Sequence, residues 1–110
     1  MKRTFIRLQS FEKAWEAIGL NEDDYRGLED MLLENPQAGS VIEGSGGIRK
    51  IRYAIPGKGK RGGVRVIYID VVLDEAVYFL YAYPKSTKDD LTKDEVKDFK
   101  KAADALKQRK

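Results

Sequence analysis

Between Lys2 and Leu8 the chain alternates, with Thr4, Ile6 and Leu8 on one side and Arg3, Phe5 and Arg7 on the other, which is the period of a strand. The period then changes. Phe11, Ala14, Trp15 and Ile18 fall on one helical face, Ser10 stands as the N-cap and Gly19 suits the C-terminal cap. Asn21 is placed to cap a second helix, with Glu22, Asp23 and Asp24 in its first turn, where the helix dipole favours carboxylates. Tyr25, Leu28 and Leu32 form its buried face, Met31 lies nearby, and Asn35-Pro36 ends it. The very short link between the two helices reads as a helical hairpin.

Alternation returns in the second half. Val41 to Glu43 is a short extended piece and Gly44 to Gly47 a turn. Ile48 to Ile55 is a strand with Ile48, Lys50 and Arg52 on one face and Arg49, Ile51 and Tyr53 on the other. Val64 to Leu73 and Ala76 to Tyr83 are the next strands, turned by Asp74-Glu75. Short links favour antiparallel pairing. Pro84 stops the last strand. Thr92 and Glu95 then form a capping box for a final helix whose stripe is Val96, Phe99, Ala103 and Leu106. The order predicts a single α+β domain over residues 1–110: a twisted antiparallel sheet with two N-terminal helices and a C-terminal helix.

Composition narrows the function. The chain of 110 residues has no cysteine and no histidine. That removes disulfides, thiolate zinc sites, and the nucleophile systems built on Ser-His-Asp or Cys-His. Chemistry here must run on Lys, Arg, Tyr and carboxylates, and no cofactor or metal is expected. No apolar run reaches membrane-spanning length and the N-terminus lacks a signal-peptide pattern, so the expected location is the cytoplasm.

The net charge of +3 conceals an uneven layout. Glu12 to Glu43 carries nine acidic residues against two basic ones, a pattern read first as solvated helix faces. Gly44 to Ile69 carries seven Lys or Arg and no Asp or Glu. Apolar residues between those charges mark strands with cations on defined faces, and such a surface suits a polyanion.

Within that stretch the loop Gly57 to Gly63 has glycines that allow close backbone approach to a phosphate, and cations at Lys58, Lys60 and Arg61. It lacks the spacing of a Walker A loop. The plain alternative is a solubilising hairpin tip. Arg65 stands inside the following strand, where a long cation needs water or an anion. Paired in register, it shares a face with Lys50 and Arg52; snorkelling side chains on an open face are the plain alternative. Trp15 reads as core. Most of Tyr68, Tyr78, Tyr81 and Tyr83 read as sheet packing, with Tyr83 the best placed of them to stack on a base. It precedes a polar segment that carries Lys85 and Lys88.

The stretch GGIRKIRYAIPGKGKRGGVRVIYI, followed by YFLYAYPKSTKDDLTKDEVKDFKK, resembles the RelE/HigB superfamily of type II toxin–antitoxin toxins. The glycine-lysine-rich hairpin is most similar to the HigB-like branch. So is the order Tyr83, Lys85, Lys88, Asp90-Leu91. The resemblance runs from about Phe5 to the final helix. It implies a fold related to microbial ribonucleases, ribosome-dependent cleavage of mRNA in the decoding site, and neutralisation by a cognate helix-turn-helix (HigA-like) antitoxin. Carried over by position, it implies a catalytic set of Lys50, Arg52, Arg65, Tyr83 and Lys85. Arg49, Lys58, Lys60, Arg61 and Lys88 would contact RNA or ribosome. This chain has Ser86 where some relatives place an arginine, and Leu91-Thr92 where the family has a C-terminal tyrosine.

The chemistry so implied is attack of the ribose 2′-oxygen on the adjacent phosphorus with departure of the 5′-oxygen. Arg65 and Arg52 would bind the phosphate oxygens, and Lys50 or Lys85, its proton loosened by crowding, would act as base. Two rival classes share the same surface: a non-catalytic RNA-binding module, and a degenerate toxin that acts only by partnering an antitoxin.

Overall fold

The computed structural model describes residues 2–55, 63–88 and 90–108. Strand β1 (Thr4–Arg7) leads into helices α1 (Gln9–Ile18) and α2 (Glu22–Glu34). Strands β2 (Ser40–Val41), β3 (Arg49–Tyr53), β4 (Val64–Val71) and β5 (Ala76–Pro84) follow, and helix α3 (Lys93–Lys107) closes the chain. The sheet order is β1-β5-β4-β3-β2. From β2 to β5 every pairing is antiparallel, as the short links require. β1 joins β5 in parallel, so the five-stranded sheet is mixed. A parallel partner needs a long crossover, and here residues 8–75, more than half of the chain, separate the two strands.

Both faces of the sheet are covered. On one, Phe11 and Trp15 of α1 and Tyr25, Leu28 and Leu32 of α2 pack on Tyr53, Val64, Val66, Tyr68, Val77, Phe79 and Ala82. Phe79 is the hub, its ring centroid 5.0 Å from Phe11, 5.5 Å from Tyr25 and 6.0 Å from Phe5. Trp15 is core, as its spacing requires, and its indole N–H donates to the Asn21 carbonyl at 3.1 Å. On the other face, Ala103 and Leu106 of α3, with Phe99, cover Ile48, Ile67, Ile69, Tyr78, Leu80 and Tyr83.

Strand β5 carries a bulge. Ile67 pairs with Tyr81 and Tyr68 with Phe79, leaving Leu80 as an extra residue. The alternation of faces therefore changes phase. Val77 and Phe79 point to α1 and α2, while Tyr81 and Tyr83 point to α3. Ser10 belongs to this feature and not to a cap: helix α1 begins at Gln9, and the Ser10 hydroxyl donates to the Leu80 carbonyl at 2.5 Å. The other helix starts match expectation. Asn21 and Asp24 form a reciprocal capping box on α2, and Thr92 and Glu95 form one on α3.

Tyr53 ties the sheet to α2 by donating its hydroxyl to the Asp24 carbonyl at 2.9 Å. Its hydroxyl occupies the space that a Cβ on Gly27 would need. Gly27→Ala gains about 1 kcal/mol of helix propensity but overpacks a buried ring, at about 1–3 kcal/mol. The substitution should therefore lower the urea midpoint, and Tyr53→Phe in the same chain should restore part of it. An unchanged or raised midpoint would mean the ring can swing aside.

Candidate nucleic-acid interface

The register of β3, β4 and β5 decides which cations meet. Arg52 lies directly opposite Arg65, and Arg65 lies opposite Tyr83. Lys50 lies opposite Ile67, two positions along the same face. These residues share the side of the sheet that α3 covers at its other end. The cluster built with α3 takes in Ile69, Val71 and Ala76 and reaches Tyr83, whereas Arg52 and Arg65 sit at the end of their strands away from Ile69 and Val71.

Arg65 is half-buried, and its Nε is shielded from solvent with no hydrogen-bond partner among the described residues. Arg52 across from it is exposed. Like charges on directly opposed residues destabilise a sheet, and a buried unsatisfied donor costs about 1–3 kcal/mol. The other partly covered arginines are used differently. Arg3 makes two hydrogen bonds to Asp70, and Arg7 pairs with Glu22 at 2.8 Å while stacking 4.4 Å from the Tyr25 ring. Hydrogen bonds to those carboxylates hold both guanidiniums more firmly protonated than usual.

Tyr83 is buried, which argues against the base-stacking role its position suggests, since stacking needs an open ring face. Instead it floors the patch beside Tyr81, with ring centroids 6.1 Å apart. Burial pushes its phenol up to about 12; Asp90 and Glu95 add to the rise and Arg65 opposes it. Lys88 reaches back over this pair, its Nζ 5.2 Å from the Tyr83 ring and 5.5 Å from that of Tyr81.

Two carboxylates, read in the sequence as a motif residue and a capping-box partner, enter the patch by pairing with its lysines. Asp90 pairs with Lys50, and Glu95 accepts from Lys88 at 2.6 Å. Lys50, one of the two lysines expected to act as base, therefore has a carboxylate beside it. Glu95 also accepts from the Thr92 backbone N–H at 2.9 Å while its own N–H is capped by the Thr92 hydroxyl. Burial works to raise the Glu95 pKa, but the bonds from Lys88 and Thr92 outweigh it and hold the carboxyl below its ordinary value. The only sequence signal for these partners was acid among lysines, and across an irregular link that spacing has no fixed geometry.

The remaining expected contacts divide. Lys85 is exposed at the end of β5, with its backbone N–H directed at the Gly63 carbonyl. Arg49 points to the opposite face, where its guanidinium donates to the Gln37 and Gly39 carbonyls at 3.0 and 2.7 Å. It stitches the β2 edge and does not join the patch. Lys58, Lys60 and Arg61 lie outside the described residues.

A family model described as the RelE toxin of the RelE/RelB toxin–antitoxin system matches residues 33–110, more than half of the chain and the part that builds this face. The chain belongs to the RelE toxin family. Its fold agrees with a solved structure of Escherichia coli toxin RelE, a double arginine-to-alanine mutant in the free state. The match has a TM-score of 0.60 at 16% identity and covers 94% of this chain and 98% of that one. At that identity the likeness speaks for the fold alone. Among the described residues of this RelE-family toxin, no helix is long and apolar enough to cross a membrane.

The Lys88–Glu95 pair can be isolated with Glu95→Gln, because glutamine still serves the capping box. A carboxyl whose pKa is lowered on folding stabilises above its unfolded value and loses that contribution as pH falls through the folded value. At pH 7 the variant should be less stable by about 0.5–1 kcal/mol. The difference should close below about pH 4.5 as Glu95 takes up its proton. Denaturant titrations at several pH values measure this, and a gap that does not narrow as the pH falls would assign the loss to packing.

Proposed function

We propose that this RelE-family toxin cleaves translated mRNA on the ribosome and arrests growth in the cytoplasm. On this reading a cognate antitoxin of the helix-turn-helix, HigA-like type holds it in check. The observation that carries the reading is the Arg52–Arg65 cross-strand pair, with the Arg65 Nε buried and unsatisfied among the described residues. A phosphate diester on this face would offset the repulsion between the two guanidiniums. Placement in the HigB-like branch rests on the glycine-lysine hairpin and the Tyr83–Leu91 segment.

The reaction is attack of the ribose 2′-oxygen on phosphorus, forming a 2′,3′-cyclic phosphate while the P–O5′ bond breaks; the 2′-hydroxyl gives its proton to water and the departing 5′-oxygen takes one up from water, leaving as a hydroxyl with the proton count unchanged. Arg65 and Arg52 donate to the non-bridging oxygens as negative charge grows there. Lys50 and Lys85 flank them as further cations, and the phenol of Tyr83, neutral at physiological pH, keeps the floor of the site uncharged. Lys88 contributes charge at the rim. With no histidine in the chain to serve as general acid or base, the rate must come largely from alignment of the 2′-oxygen with the scissile bond. Ribosome-held mRNA supplies it, since orientation alone can lower a barrier by several kcal/mol.

Arg65→Ala should fold, because it removes an unsatisfied donor, and should lower cleavage by about two to three orders of magnitude. Induction of both forms in a bacterial host, with mapping of mRNA 5′ ends, provides the test. Cuts within translated codons are expected, absent in Arg65→Ala and absent when translation is blocked. Intact messages and normal growth with well-folded wild-type protein would leave an RNA-binding module or a partner-only toxin in its place.

A further inference from the structure

The two lysines that reach the cationic face from β3 and from the β5–α3 link are each held by a carboxylate, yet the two pairs differ in kind. Glu95 is locked by the α3 capping box and shares its low exposure with Lys88, both side chains 30% exposed. Asp90 has no such lock. Its side chain is 67% exposed, against 29% for Lys50, and its hydrogen bond is to the Lys50 ammonium. It precedes the α3 cap in the irregular link, and its charge is felt at Tyr83 on the floor of the patch. Asp90 therefore presents a carboxylate to Lys50 in the manner a phosphate oxygen would.

We propose that Asp90 is an intramolecular phosphate mimic that occupies Lys50 in the free toxin and must be displaced before the RNA backbone can use that lysine. The inference rests on the reading of this face as the RNA site. Its consequence is specificity. A loosely bound RNA gains little at Lys50, because each new phosphate contact costs the Asp90 contact. A substrate held in place by other means can displace the carboxylate without having to be captured first. Asp90 thereby weakens the toxin for free RNA while leaving ribosome-held message accessible.

The test is binding of a short single-stranded RNA whose 2′-hydroxyls are methylated, so that it cannot be cleaved, over a series of salt concentrations. Asp90→Asn should bind about two- to fivefold more tightly than wild type, the range of an exposed ion pair. Its log–log salt slope should steepen by about 0.7, one more phosphate neutralised on a single strand. Glu34→Gln, an equal charge change at the exposed end of α2, should gain much less. In a Lys50→Ala background the Asp90→Asn gain should disappear. A gain that survives in that background, or is matched by Glu34→Gln, would reduce the effect to net charge and overturn the proposal. So would Asp90→Asn binding no tighter than wild type while Lys50→Ala binds more weakly, but that result would leave the site intact. If removing Lys50 from the Asp90→Asn variant costs no affinity, Lys50 is not at the RNA site and the underlying placement falls as well.

Discussion

The register between β3, β4 and β5 is the constraint from which the rest of the molecule follows. Side chains alternate with a period of two, so a one-residue slip of β3 against β4 would send Lys50 and Arg52 beneath α1 and α2. It would bring Ile51 and Tyr53 out in their place. The two apolar layers forbid that slip. Val64, Val66 and Tyr68 are committed to one face and Ile67 and Ile69 to the other, all nearly inaccessible to solvent. The cationic face is thus held by hydrophobic burial on both sides of the sheet, and its own charges oppose the fold. Arg52 opposite Arg65 is tolerated because the strands that carry them are fixed elsewhere.

The bulge at Leu80 is the second determinant. Without it, Tyr81 and Tyr83 would follow Phe79 onto the α1–α2 face. With it, they join Arg65 and receive Lys88 across their rings. Ser10 secures the Leu80 carbonyl, so the start of α1 contributes to the floor of a site on the far side of the sheet. Helix α3 acts in a similar way. Its apolar residues dock on the sheet, and its capping box sets the position of Glu95 and through it Lys88. The polar link between β5 and α3 consequently brings Lys88 and Asp90 to the cationic face.

The acidic segment serves a quieter purpose. Asp24 reciprocates the Asn21 cap, Glu22 and Glu12 pair with Arg7, and the carbonyl of Asp24 receives Tyr53. These contacts consolidate α2 and its attachment to the sheet. They give several of the carboxylates structural roles, leaving the charge imbalance between the halves of the chain as a by-product of where each half lies.

Much of this was legible in the sequence. Periodicity placed each helix and each of the longer strands to within a few residues, caps at Asn21 and Thr92 were unambiguous, and alternation put Lys50 and Arg52 on one face because local geometry alone decides that. The resemblance of the hairpin and the Tyr83–Leu91 segment to RelE-type toxins led to the family. Tertiary structure decided what local geometry could not. The parallel β1 and the diversion of Ser10 depend on partners about seventy residues away in the chain, and the phase change at Leu80 on how β5 pairs with β4. Arg49 was drawn to the Gln37 and Gly39 carbonyls for the same reason. So were the carboxylates on Lys50 and Lys88: an ion pair formed across a loop follows from how the helix docks, and no spacing along the chain encodes it.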